Sequence, residues 1–121
     1  MAYTNINVLK SEGLFKANSQ TFAAVTNGSM EFSVSDTKNP LALFVDIPSG
    51  ATGTFTLAFE KKAGKTISLA AQKLNVVQIT TKELVAADGK IRFTLSTSNS
   101  SGITGLNIKI AIVSHTPVVN H

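Results

Sequence analysis

Between residues 30 and 113 apolar and polar residues alternate with a period of two, interrupted at short intervals by Gly, Pro, Asn and Ser. A strand sends successive side chains to opposite faces, whereas a helix needs its apolar residues three and four apart. The alternation therefore dictates half-buried strands. Phe32 and Val34 make one inward row, Leu41, Leu43, Val45 and Ile47 a second, and Phe55, Leu57 and Phe59 a third. Ile91, Phe93 and Leu95, then Leu106, Ile108, Ile110 and Ile112, make two more. Ala42 and Phe44 keep the second face of their strand partly apolar, which suits a strand covered on both sides.

The breaks carry turn chemistry. Pro48 presets φ, Gly50 and Gly53 accept φ > 0, and Glu60 to Lys65 reads as a hairpin tip returning through Thr66–Ala70. Leu74–Ile79 is a further strand in which Val76-Val77 breaks strict alternation and suggests a bulge. Thr80 with Glu83 has the form of a capping box, and Gly89 stands at a C-terminal stop, so one short helix is expected near residues 81–87. The last strand is apolar enough to be hazardous at a sheet edge, where Lys109 would guard it. Seven or eight short strands with turns between them give an all-β fold, an antiparallel β-sandwich of jelly-roll or immunoglobulin-like type.

The first thirty residues follow the pattern less well. Residues 4–9 and 20–26 read as further strands, or residues 1–20 form an arm that packs on the body or on a neighbouring subunit. The organisation expected is thus an N-terminal arm or first strand over 1–20 and a single sandwich domain over 21–121.

Several function classes are excluded or left without support. A chain of 121 residues without Cys has no disulfide scaffold, no Cys-ligated zinc and no thiol nucleophile. No long apolar run offers a membrane span, and the N-terminus lacks the pattern of a signal peptide. His115 and His121 sit at the C-terminus, no G-x-S-x-G elbow occurs, and neither a calcium loop nor a phosphate loop is present. No catalytic residues, metal ligands or cofactor are therefore assigned, and the chain reads as a non-enzyme. Asp46, before Pro48, reads as a strand-end residue bonding turn amides. The net charge is +4, but the cations are scattered and only one is Arg, so nucleic acid is a weak reading. Lys61, Lys62 and Lys65 form the one basic cluster, read as a solvated hairpin.

The absence of Cys and of an export signal, the partly apolar segment from Tyr3 to Phe15 and the sandwich pattern from Met30 to Val113 together resemble the small structural proteins of tailed-phage virions, capsid decoration proteins above all. The resemblance implies a cementing role on the outer surface of a phage head. The partner would be the major capsid protein or another virion protein, with a homo-oligomer such as a trimer in view. It also implies synthesis in the host cytoplasm and residence in the virion. Under it Tyr3, Ile6, Val8, Leu9, Leu14 and Phe15 would form an arm that orders on binding, and Phe44 would lie at an interface; alternatively these residues complete the monomer's core. The second reading is a non-catalytic carbohydrate- or cell-surface-binding module, for which Tyr3 is the one stacking residue, since Trp is absent.

Overall fold

The computed structural model describes residues 3–6, 8–12, 22–34, 41–62 and 66–116, and in it the alternating runs form two stacked sheets. In chain order the strands are β1 (Thr4–Asn5), β2 (Val8–Glu12), β3 (Ala23–Ala24), β4 (Ser29–Ser33), β5 (Leu41–Asp46), β6 (Phe55–Phe59), β7 (Thr66–Leu69), β8 (Leu74–Ile79), β9 (Lys90–Thr97) and β10 (Lys109–Thr116). One sheet, sheet A, has the order β1-β4-β9-β6-β7; the other, sheet B, has the order β2-β10-β5-β8, with β3 also paired to β10.

The pairing is nested about one hairpin. β6 pairs with β7, β5 with β8, β4 with β9 and β3 with β10, all antiparallel, and β9 with β6 and β10 with β5 join these pairs into sheets. A ribbon folded back on itself and rolled over two sheets in this way is a jelly roll. The N-terminal segment departs from the antiparallel expectation. β1 lies parallel to β4 at one edge of sheet A, and β2 lies parallel to β10 in sheet B. The expected strand over 4–9 is thus divided between the two sheets, and Ile6 between them is 5% exposed. Of the strand expected over 20–26, residues 20 and 21 lie outside the described residues, and among the rest only Ala23–Ala24 form a strand.

The inward rows meet as the period-two pattern requires. Phe32, Leu43, Phe55, Leu57, Ile91, Phe93, Leu95, Ile110 and Ile112 are all buried, and Val34 and Leu106 pack on this core partly exposed. Met30, Phe93 and Phe59 lie side by side across β4, β9 and β6, and the Phe93 ring is 6.0 Å from Phe32, edge-on, and 5.9 Å from Phe59, tilted. Gly28 lets β4 enter against β9: Leu95 N–H donates to its carbonyl at 2.7 Å, and a Cβ there would stand 2.6 Å from the Leu95 carbonyl oxygen.

Three local expectations are corrected. The helix is one turn, Thr81–Leu84, and does not reach residue 87, because Ala86 N–H donates to Lys90 O at 2.8 Å and turns the chain back into β9. Thr80 is extended at the N-cap position without a side-chain capping bond. Val76-Val77 forms no bulge: β8 runs in continuous register with β5, with Val77 buried and Val76 outward. β10 is no edge strand, being flanked by β5 on one side and by β2 and β3 on the other, so Lys109 guards no edge.

Truncating Phe93→Ala should lower the unfolding free energy by about 3–5 kcal/mol, since it empties the centre of the aromatic row. Gly28→Ala should also destabilise, through the contact with the Leu95 carbonyl. Urea unfolding followed by circular dichroism would read both.

Candidate interaction surfaces

The two outer faces of the sandwich differ in kind. On sheet A, β9 presents Lys90 and Arg92 outward beside β4, whose Glu31 lies directly opposite Arg92. Opposite charges facing across neighbouring strands stabilise the pair. Glu31 accepts from Lys90 Nζ at 2.9 Å and from Arg92 Nε at 3.1 Å, and its side chain is only 13% exposed. Arg92 also pairs closely with Asp88, and Glu60 Oε1 stands 4.0 Å from its Nη1. The Tyr3 ring completes the cluster: Arg92 Cζ lies 5.7 Å from its centroid, and its hydroxyl donates to Glu60 Oε2 at 3.3 Å.

The hydrogen bond from Lys90, with Arg92 beside it, holds the Glu31 carboxyl below its ordinary range. Arg92 does the same to Asp88, and the two acids in turn hold the guanidinium more firmly protonated. Burial, then the Glu60 carboxylate, pushes the Tyr3 phenol up. Every charge in this cluster faces one of opposite sign within it. The network ties the segment before β1 to the centre of sheet A.

The outer face of sheet B is apolar and graded. Val76, Phe44 and Ala111 stand in one row across β8, β5 and β10. Ala111 and the neighbouring outward Val113 are buried, Phe44 is half-buried with the Phe22 ring edge-on at 6.4 Å, and Val76 and Leu74 are each 53% exposed. Apolar surface thus becomes progressively barer from β10 to β8, where it reaches solvent. Asp46 lies on the same face between Lys109 and Leu74.

Between the free edges of the sheets a cleft of about 270 Å³ is lined by Phe59, Thr66 and Ile67 on one wall and by Gln78, Thr80, Glu83 and Leu84 on the other. Its composition is mostly apolar and hydroxylic. Among the described residues no three His, Cys, Asp or Glu side chains gather as a metal site, and no helix is long and apolar enough to cross a membrane.

The residues expected to contact a partner are thereby separated. Ile6 belongs to the core rather than to a partner-facing arm, because the chain crosses between the two sheets at that point; Val8 packs partly buried against the same core. Tyr3 belongs to the charge network on sheet A. Among the expected residues whose side chains are described, only Phe44 lies on the apolar face of sheet B. Leu9 falls in β2, but its side chain, with Leu14, Phe15 and Lys65, lies outside the described residues. Leu74 and Val76, the barest large apolar side chains of that face among the described residues, are absent from the sequence-derived set. Asn27 and Asn99 are engaged: Asn27 Nδ2 donates to Thr4 Oγ1 at 2.7 Å and Asn99 Nδ2 to Thr52 O at 2.8 Å. No protein-family profile, curated protein or solved structure matches this chain.

The carboxylates of Glu31 and Asp88 titrate lower in the folded than in the unfolded chain. Their contribution to stability is therefore complete above the ordinary carboxylate range, about pH 4, and is lost as pH falls through their lowered folded values. Denaturation midpoints measured from pH 7 down to pH 2 should fall, and Glu31→Gln should flatten that decline.

Proposed function

We propose that this chain is a non-enzymatic structural protein of a tailed-phage virion, a decoration protein that docks the outer face of sheet B on the assembled head. The observation that carries the reading is the exposed apolar pair Leu74 and Val76 on that face, beside half-buried Phe44. Apolar side chains placed side by side at an open sheet face mark a protein contact more than a small-molecule site. A modest contact repeated over many equivalent positions of a shell stabilises the shell although each contact alone is weak. The jelly roll suits the role by holding this face rigid, but a fold of this kind serves many functions and adds little by itself.

The carbohydrate-binding alternative is disfavoured by the state of Tyr3. Its ring lies against Arg92 and its hydroxyl on Glu60, so the one residue suited to stacking on a sugar is already engaged.

Particles purified from cells that carry the gene should contain the chain, and added protein should co-sediment with heads stripped of it. Phe44→Thr combined with Leu74→Lys should reduce that co-sedimentation at least tenfold while leaving the fold intact by circular dichroism. Wild-type protein that stays in the supernatant at micromolar concentration would overturn the reading.

A further inference from the structure

We infer that β8 is a two-fold interface through which a second copy of this chain extends sheet B. The inference rests on the backbone of the edge and does not depend on the virion reading.

β8 ends sheet B, and the direction of its unpaired groups follows from its register. Ile47 N–H donates to Lys73 O at 3.0 Å, in line with the β5–β8 ladder, so the hydrogen-bonded pairs are Val45 with Asn75, Leu43 with Val77 and Leu41 with Ile79. In an antiparallel ladder these alternate with non-bonded pairs. The N–H and C=O groups of Leu74, Val76 and Gln78 therefore point away from β5, along the open edge. Among the described residues no strand pairs with them.

Natural sheets guard such an edge with Lys, Pro, a bulge or an unusually short strand. β8 has none of these. Its six residues, LNVVQI, carry no charge and no proline and hold unbroken register with β5. Two of the three edge-facing residues are apolar and 53% exposed. Ile67, 37% exposed, and the cleft beside it open on the same side of the sandwich, between β7 and β8.

The occupant is identified by self-complementarity. A two-fold axis perpendicular to the sheet at Val76 places Val76 opposite its own copy and Leu74 opposite Gln78 of the second chain. All three edge-facing residues then fall into hydrogen-bonding positions, giving six main-chain hydrogen bonds. A two-fold sets each group against a group of its own kind near the axis, so a charged edge would repel itself, and this edge is neutral. The operation keeps outer face with outer face, so the bare apolar rows of two copies become one continuous surface.

The absence of cysteine makes the register directly readable. Val76→Cys introduces the sole thiol at the axis, where paired Cα atoms lie about 5.5 Å apart, within reach of a disulfide. Mild oxidation should convert it to a covalent dimer. Leu74→Cys, four residues out of register with its own copy and so roughly 13 Å from it, should cross-link at least tenfold more slowly. Light scattering on the unmodified protein should give a mass rising with concentration to twice that of the monomer. Val76→Pro should remain monomeric at the same concentrations with an unchanged circular dichroism spectrum, because the lost N–H faces solvent in the monomer. A wild-type monomer at millimolar concentration would overturn the inference and leave the edge to a strand of another protein. So would a trimer, or equal cross-linking of the two cysteine variants.

Discussion

The structure depends on the register of β9 within sheet A. Phe93 sits between Met30 of β4 and Phe59 of β6 and touches the rings of Phe32 and Phe59, while its neighbour Arg92 stands on the opposite face among Glu31, Asp88 and Tyr3. A slip of one residue would exchange these two environments. It would put a guanidinium into an aromatic core and a phenyl ring into water, and both changes are strongly unfavourable. The same strand thereby fixes the core and the outer surface together.

The two outer faces show how a sandwich divides its roles. On sheet A the carboxylates of Glu31, Glu60 and Asp88 converge on Lys90 and Arg92, and the cluster draws in Tyr3 ahead of β1. Such a network satisfies itself, and it holds the N-terminal segment to the sheet. On sheet B the apolar surface is covered at β10 and bare at β8, so its unsatisfied part lies at one edge. Polar closure on one side and apolar exposure on the other set the two faces apart.

Much of the fold was legible in the alternation because burial on one face is a local property of a strand. The rows led by Phe32, Leu41, Phe55 and Ile91 needed no knowledge of their neighbours. β8 was not legible in this way. Leu-Asn-Val-Val-Gln-Ile has apolar residues at both parities, so neither face announces itself as inner. Val77 and Ile79 enter the core, which leaves Leu74 and Val76 outward, while Asn75 on the inner side donates to the Ala70 and Lys73 carbonyls and accepts from Ala70 N–H. The helix after β8 was shortened for a similar reason. A capping pattern at Thr80 and Glu83 competes with the Ala86–Lys90 turn that leads into β9, and the turn prevails.

By itself the sequence determined that this protein is all-β, which side chains share a face in most strands, and where several of its turns fall, since those follow from the two-residue period and from the dihedral preferences of Gly and Pro; the β7–β8 turn, through Gln72 at positive φ, does not. Tertiary structure decided which strands are edges, and hence that β10, with Lys109, is interior while β8 is bare. It also decided that Arg92 meets Glu31 across sixty-one residues of chain and that Ile6 passes into the core between the sheets. Edges and cross-strand partners are relations between distant segments, set by how the ribbon rolls over two sheets, and no local periodicity encodes them.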